Sequence, residues 1–343
     1  MQTTHQGALN DLLTAVAGTR RAAALRARLW SPALAESGAG RIGRGELSMA
    51  LAMLLFEGVL TRVPMARAYV EDLRRAGRRL VLDHGALRTV AAPSGELPSG
   101  RLAFERFLEP LGYRLNGVYP LERLSMTGYV YTHRDAPEDL PQYFVSELET
   151  ERFSPRFQAA VERVIGSSID PLPASSLERL AELAAEGSLP QESAARLLPD
   201  LLACFDRQHG EARLADYEIL REESEEMAWI ATEGQAFNHA TDRVEDVLAV
   251  ADAQRRLGRP IKDTVEVSAS GRVLQTAFRA AEVERLLLDG EGNYVSRRVP
   301  GSFHEFITRR RREDGFLDLG FDAGNAQGIF AMTRSAPPLG SPA

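Results

Sequence analysis

The feature of this sequence that most limits its fold is a repeated change between helical and strand-like patterning. Apolar residues at helical spacing fill residues 8–76, and they return in every segment between about 154 and 232. Short runs of β-branched and apolar residues, bounded by glycine and proline, lie between these stretches and after the second one. The pattern therefore predicts an α+β fold in which helices pack against a sheet.

The same changes of pattern divide the chain into five expected regions. They are an N-terminal helical region at 1–76, a first α/β unit of the core at 77–153, a helical insertion at 154–232, a second α/β unit at 233–330 and a tail at 331–343. The predicted strands cover residues 78–92, 128–133, 142–149, 263–270, 272–278, 283–289 and 302–309.

Composition and charge narrow the class of partner. The net charge of −7, from 48 acidic and 41 basic residues, disfavours a phosphate backbone, so we expect no nucleic acid. No apolar run approaches the roughly 18 residues that a membrane span needs, and the longest is MALAMLLF, so we expect no membrane. Cys204 is the single cysteine and can form no intrachain disulfide. We therefore expect a soluble, cytoplasmic protein.

One predicted strand carries two residues suited to a site. His84 and Arg88 fall on one face of the segment at 78–92, together with Ala86, because side chains alternate along a strand. The imidazole could hold a metal, and the guanidinium could bind an anionic substrate through two parallel hydrogen bonds. The alternative is a histidine at the edge of the core beside an unrelated surface arginine.

A second histidine lies in the segment FNHATDR. The pattern places His239 at a turn before a helix whose capping box is Asp242 and Glu245. Histidine at such a turn is either a metal ligand or a loop residue that bonds to the local backbone. By contrast, His5 near the chain end and His209 at a helix end are expected to face solvent.

A carboxylate in the last predicted strand stands out as a third candidate. Alternation puts Glu305 between Phe303 and Ile307 on a face that is expected to be buried, and it turns His304 to the other face. A buried carboxylate is costly unless it is paired or bound to a metal. The alternative is therefore a salt bridge to an arginine, either Arg297 or Arg309.

Two histidines and one carboxylate on separate elements can form the facial triad of iron(II) oxygenases. Zinc hydrolases use the same ligand set, so the residue types alone leave the metal open. The motifs HExxH, paired CxxC, GxSxG and Walker A are absent from the sequence. Gln275 faces the same way as Val273 and Ala277, and is either a substrate contact or a strand glutamine bonded to the backbone.

Three segments in order resemble a known family: DHGALR at 83–88, FNHATDR at 237–243 and VPGSFHEFITRR at 299–310. The family was once called the domain of unknown function DUF1338, and bacterial 2-oxoadipate dioxygenase/decarboxylase, or 2-hydroxyglutarate synthase, represents it. The segment FLDLGFDAGNAQGIF at 316–330 is also similar to its shorter members. The likeness runs from about residue 45 to 330, and it departs at Asp242, where the family often has proline.

The resemblance implies a vicinal-oxygen-chelate-like fold, with a curved mixed β-sheet around a metal site, N-terminal helices and an inserted helical subdomain. It implies Fe(II) bound by His84, His239 and Glu305, with Arg88 on the substrate carboxylate. The implied reaction converts 2-oxoadipate, or a similar 2-oxo acid, and O2 to 2-hydroxyglutarate and CO2. A metal- or ligand-binding protein without turnover, or a zinc-dependent hydrolase or lyase, remains the alternative.

Overall fold

The structure, a computed structural model, describes residues 7–35, 37–330 and 332. Its helices are α1 Gly7–Ala17, α2 Thr19–Arg28, α3 Arg44–Arg62, α4 Pro64–Arg75, α5 Leu102–Leu108, α6 Pro155–Ile165, α7 Ala174–Glu186, α8 Gln191–Ala203, α9 Leu214–Glu223, α10 Glu225–Glu233, α11 Val247–Arg256 and α12 Ala323–Phe330. Its strands are β1 Arg41–Gly43, β2 Leu82–Val90, β3 Tyr113–Leu121, β4 Met126–His133, β5 Gln142–Leu148, β6 Ser188–Pro190, β7 Phe237–Arg243, β8 Glu266–Val267, β9 Val273–Ala277, β10 Glu282–Leu288, β11 Tyr294–Pro300 and β12 Phe303–Arg309.

Eight of these strands form one curved sheet in the order β3-β4-β5-β2-β7-β12-β9-β8. Each half of the sheet has the same plan, a strand, a helix and three further strands: β2, α5, β3, β4 and β5, then β7, α11, β8, β9 and β12. The first strands of the halves, β2 and β7, pair antiparallel at the centre, and each pairs in parallel with the last strand of its own half. The predicted α+β class with a curved mixed sheet is confirmed.

Two hydrophobic clusters cover the sheet. One contains buried side chains of α1, α2, α3, α4 and α8, and the other contains those of α6, α9 and α10. Burying a large apolar side chain contributes about 1.5–3 kcal/mol, so both faces of the central strands are firmly held. All nine residues of β2 are buried as a result. The central strands therefore form a rigid base for a site.

Helix α3 ends at Arg62 because a proline follows two residues later. Glu46 caps its start by accepting a hydrogen bond from the Gly43 backbone N–H at 2.7 Å. Pro64 disfavours helical geometry at Val63 and starts α4, at an angle of 115° to α3. Among the described helices, none is by itself long and apolar enough to cross a membrane, although the bent pair of α3 and α4 has sufficient length and apolar composition when the two are taken together.

The prediction for FNHATDR was wrong, because the segment is strand β7 rather than a turn before a helix. Asp242 caps no helix: its carboxylate accepts hydrogen bonds from the Tyr69 hydroxyl at 2.6 Å and from the Val81 N–H at 3.0 Å. Helix α11 starts after Asp246, whose carboxylate accepts from two backbone N–H groups of its first turn. Pairing with β2 and β12 on both sides overrides the turn-forming residues.

The expectation that His209 faces solvent was also wrong. Its ring is buried and contacts the carbonyl oxygens of Gly210 at 2.7 Å and Ile230 at 3.1 Å. The prediction for His5 lies outside the described residues. The sequence also did not predict α5, β3 or β11, and the expected strand at 263–270 is reduced to the two residues of β8.

The segment GAGRIG at 38–43 has the spacing GxGxxG of dinucleotide-binding loops and precedes α3. The structure does not give it that role. Its last three residues form β1, which pairs antiparallel with β6, whereas the dinucleotide motif joins a strand of a parallel sheet to the following helix.

Candidate metal centre and substrate pocket

The register of the three central strands brings distant parts of the chain into one site. His84 on β2, Thr241 on β7 and Glu305 on β12 are direct neighbours across the sheet. His239 lies in the next row, opposite Ala86 on one side and Phe303 on the other. Residues two apart on a strand share a face, so His84, His239 and Glu305 project to the same side of the sheet.

The three side chains converge closely. Glu305 Oε2 lies 3.3 Å from His84 Nε2 and 3.1 Å from His239 Nε2. One candidate ligand atom from each residue lies within 4.8 Å of the other two, and all three residues are buried. No other group of three histidine, cysteine or acidic residues within the described ranges meets that distance. Two imidazoles and one carboxylate are a donor set that suits Fe(II) or Zn²⁺.

The charges at this cluster favour a cation. Burial opposes ionisation of Glu305, but hydrogen bonds from His239 and His84 hold its pKa down to about 2, so it is an anion at neutral pH. Burial lowers the pKa of His239, which keeps this imidazole neutral. Burial also acts to lower the pKa of His84, but its bonds to Asp83 and Glu305 outweigh that effect and raise it. A divalent cation would replace the imidazole hydrogens that lie between the two Nε2 atoms and the Glu305 carboxylate.

Asp83 fixes the orientation of His84. The pairing of β2 with β7 shifts between Leu82 and His84, so Asp83 is an extra residue in β2. Its Oδ1 lies 2.8 Å from His84 Nδ1, which leaves Nε2 directed at Glu305. A carboxylate on the outer nitrogen is the usual support of a histidine that binds metal.

Arg309 is engaged by Asp83 rather than by Glu305. Its Nε donates to both Asp83 carboxylate oxygens, at 3.0 and 2.9 Å, and its Nη1 donates to the carbonyls of Asp318 and Gly320. Although burial opposes it, the charge of Arg309 holds the pKa of Asp83 well below its usual range. The alternative in which Arg309 neutralises Glu305 is therefore wrong.

All five candidate site residues, the triad together with Arg88 and Gln275, line one pocket. Gln275 lies on β9, opposite Ile307 of β12, and faces the same side as Glu305. Apolar side chains form much of the remaining wall, and they are Ala86, Leu87, Phe144, Phe303 and Phe321. Small-molecule sites are typically concave and apolar with a few polar groups, as this pocket is.

Arg88 forms a contact that the sequence did not indicate. Its Nη1 lies 2.8 Å from Glu226 Oε2, and its guanidinium lies 4.7 Å from the centre of the Trp229 ring. Glu226 and Trp229 both belong to α10, in the stretch that the sequence identified only as helical. Helical spacing does not show which residue of the sheet a helix will contact. The only signal in the sequence was the cluster of four glutamates within residues 222–226.

Two more pocket residues escaped sequence reasoning. Asn238 is the extra residue at a second irregularity between β2 and β7, and it lines the pocket beside His239. Its buried Oδ1 has no hydrogen-bond partner among the described residues. Phe321 packs edge-on against the His84 ring, with centroids 4.9 Å apart, and its ring also lies 4.7 Å from the Arg309 guanidinium. The segment 318–321 thus closes one side of the site.

Comparison with known proteins decides the family. The profile of the family described as 2-oxoadipate dioxygenase/decarboxylase matches residues 55–313, which include the triad, Arg88 and Gln275. The chain belongs to this family. Family membership and the triad agree with the sequence segments that resembled it.

Individual relatives of this 2-oxoadipate dioxygenase/decarboxylase family member cover most of the chain. The chloroplastic/amyloplastic 2-oxoadipate dioxygenase/decarboxylase of Oryza sativa subsp. japonica is 24% identical over 308 residues, which are 80% of this chain and 76% of that protein. A solved structure from Ralstonia eutropha JMP134, assigned to the glyoxalase superfamily, is 54% identical with a TM-score of 0.90, and covers 92% of this chain and 99% of its own.

The hydroxyglutarate synthase of Oryza sativa, solved in complex with 2-oxoadipate, shares the fold of this family member. Its TM-score is 0.64 at 19% identity, over 88% of this chain and 98% of that one. Together with the glyoxalase-type neighbour, it identifies the curved sheet as vicinal-oxygen-chelate-like.

Proposed function

We propose that the protein is a non-haem Fe(II) dioxygenase that decarboxylates and hydroxylates 2-oxoadipate, or a similar 2-oxo acid, to give 2-hydroxyglutarate and CO2. The observation that carries the proposal is the buried convergence of His84, His239 and Glu305 on one side of the sheet. Family membership supports the substrate class. We further propose a cytoplasmic location, where Cys204, whose burial raises its pKa to about 12, stays a thiol.

The proposed reaction is balanced for atoms. The 2-oxo carboxylate leaves as CO2, the former keto carbon becomes a carboxylate with one atom of O2, and the other atom forms the new hydroxyl. When bound, iron would supply the activation of O2, and the three protein side chains that would hold it are few enough to leave it accessible to the 2-oxo acid. The protein supplies the geometry and the electrostatics around these groups.

The chain's own residues have separate tasks in this proposal. His84, His239 and Glu305 hold the metal, and Asp83 keeps Nε2 of His84 directed at it. Arg88 binds the carboxylate at the far end of the substrate, and so determines which carbon faces the oxidant. Gln275 contributes a hydrogen bond to the substrate.

Apolar walls have a further role in the proposed reaction. Phe144, Phe303 and Phe321 line the pocket around the triad and leave little room for water beside the reacting atoms. Water exclusion strengthens the contacts between the substrate carboxylates and the positive charges of the site.

The decisive experiment measures O2 consumption by protein loaded anaerobically with Fe(II), across a panel of 2-oxo acids, with products identified by mass spectrometry. We expect one O2 consumed per 2-oxoadipate, and a five-carbon hydroxy acid as product. Turnover with Zn²⁺ and without O2 would instead identify a hydrolase or lyase. Binding of 2-oxo acids without O2 consumption would identify a binding protein.

Variants test the residue assignments. His84→Ala and Glu305→Ala are expected to lose bound iron, whereas Arg88→Ala is expected to keep iron and lose affinity for 2-oxoadipate. Glu222→Gln, on the exposed surface of α9, is the control and is expected to change neither property. Unchanged iron content in both ligand variants would refute the assignment of the metal centre.

A further inference from the structure

The far end of the pocket contains a positive charge that is already balanced. Arg88 is the only lysine or arginine among the described residues that line the pocket. Its side chain is 1% exposed and that of Glu226 is 4% exposed, with 2.8 Å between Nη1 and Oε2. Removing one partner of such a buried pair leaves an uncompensated charge, so Arg88 can release Glu226 only to another anion.

The charge balance of the loaded site makes this pairing important for a substrate. A carboxylate binds a metal as an anion, so a divalent cation held by Glu305 keeps one net positive charge, which the 2-oxo carboxylate of the substrate neutralises. The second carboxylate of a dicarboxylic substrate therefore depends on Arg88. Because Glu226 already balances Arg88, that second carboxylate meets a neutral pair and a nearby anion.

We propose that Glu226 is a specificity-determining residue, which competes with the far carboxylate of a dicarboxylic 2-oxo acid for Arg88 and thereby sets the preference between dicarboxylic and monocarboxylic substrates. The inference rests on the proposed function, because it takes a 2-oxo acid as the ligand. A monocarboxylic 2-oxo acid of the same length binds without disturbing the pair, whereas a dicarboxylic one binds by displacing Glu226.

The position of Glu226 in its helix allows such a displacement. Helix α10 starts after Ser224, whose hydroxyl accepts a hydrogen bond from the Met227 N–H at 3.1 Å. Glu226 therefore lies in the first turn, where the positive end of the helix dipole stabilises a carboxylate. A Glu226 side chain that leaves Arg88 keeps this stabilisation. Trp229, one turn further along, still covers the guanidinium and keeps it in place for the substrate.

The test compares two ligands that differ only in the second carboxylate, 2-oxoadipate and 2-oxohexanoate. Their dissociation constants are measured by calorimetry on protein loaded with Fe(II) under anaerobic conditions. In Glu226→Gln we expect 2-oxoadipate to bind on the order of tenfold more tightly, because the competing charge is gone while a hydrogen-bond acceptor remains. The affinity for 2-oxohexanoate is expected to change by less than about twofold.

The matched control is Glu222→Gln, which removes an exposed carboxylate paired with Arg156 at 3.3 Å and is expected to change neither affinity. Circular dichroism and iron content establish that Glu226→Gln is folded and loaded. If it is not, Glu226→Asp keeps the charge but withdraws it from Arg88, and 2-oxoadipate should then gain a smaller factor over 2-oxohexanoate.

The outcomes separate this inference from the proposed function. An unchanged ratio of the two affinities in the Glu226 variant overturns the competition, as does weaker binding of 2-oxoadipate. In that case, if the wild type binds 2-oxohexanoate, the proposed 2-oxo acid site is still supported. A wild-type protein that binds neither ligand refutes the proposed function, and the specificity role falls with it.

Discussion

At the scale of single residues, Asp83 contacts Nδ1 of His84 and so leaves Nε2 as the nitrogen available to the proposed metal. Asp83→Asn keeps the shape of the side chain but removes the charge that polarises the imidazole and balances buried Arg309. We expect the affinity for Fe(II) to fall about 10–100-fold, which is the usual effect of mutating a residue that hydrogen-bonds a metal-binding histidine. Competition with a chromophoric chelator measures it.

The control for Asp83 is Asp252→Asn on the surface of α11, where the carboxylate is 62% exposed and pairs with Arg255. Its metal affinity should equal that of the wild type. A folded Asp83→Asn variant that binds Fe(II) as tightly as the control would show that Asp83 does not support His84.

Asp242 makes stability depend on pH. Burial raises its pKa from 3.8 to about 6, while the bond from Tyr69 acts to lower it. The folded state therefore binds this proton more tightly than the unfolded state does. The resulting stability is fully present below pH 3.8 and is lost as pH rises through about 6, by on the order of 3 kcal/mol.

We therefore expect Asp242→Asn to remove this contribution to the pH dependence. Its Oδ1 can still accept from the Val81 N–H, and its amide N–H can donate to the Tyr69 hydroxyl oxygen. Urea unfolding of metal-free protein, at about pH 4 and about pH 7, gives the two free energies of unfolding for each variant. Relative to wild type, the variant should be more stable at the higher pH than at the lower one. An equal change in the free energy of unfolding between the two pH values for both proteins would show that Asp242 has an ordinary pKa.

At the scale of elements, alternation located the strands that are flanked by clear breakers. It predicted β2 and β12 close to their observed bounds and correctly turned His304 away from Glu305, into contact with the rings of Phe56 and Tyr69. It failed for β7, because Asn, Thr and Asp favour turns and only pairing on both edges makes this segment a strand. It also failed for β3, an edge strand whose mostly exposed residues do not alternate clearly.

The contact between β2 and β7 depends on a glycine beside His84. Gly85 faces away from the pocket, and a Cβ there would lie 2.0 Å from ring carbons of Phe237. Gly85→Ala should therefore separate the two strands that carry the histidines. We expect a loss of about 1–3 kcal/mol in the free energy of unfolding, measured with urea, together with weaker binding of Fe(II).

Gly290→Ala is the matched control, because an added Cβ at that turn would meet nothing within 4 Å. It should keep both the stability and the metal affinity of the wild type. If Gly85→Ala behaves like this control, the close approach of β2 and β7 at Gly85 is not needed for stability, and the geometry of the triad tolerates a wider spacing.

At the scale of the whole molecule, two halves with one plan meet at β2 and β7, although the sequence shows no repeat. The shared plan is hidden because the two halves fill equivalent positions with different residues. The triad could still be predicted from the sequence, because each of its members lies in a segment that resembles the family. The contacts of Glu226 and Trp229 with Arg88 could not be predicted, because they depend on how the helices between the halves pack on the sheet.

This arrangement predicts that metal binding stabilises both halves together. His84 belongs to the first half, and His239 and Glu305 belong to the second, so one bound cation would cross-link them. At a free Fe(II) concentration 1,000 times the dissociation constant, the free energy of unfolding should rise by about 4 kcal/mol. Amide hydrogen exchange should slow in β2 and β5 as much as in β7 and β12. Glu305→Gln, which keeps the side-chain shape, should show neither effect, and protection confined to one half would mean that the cation does not join them.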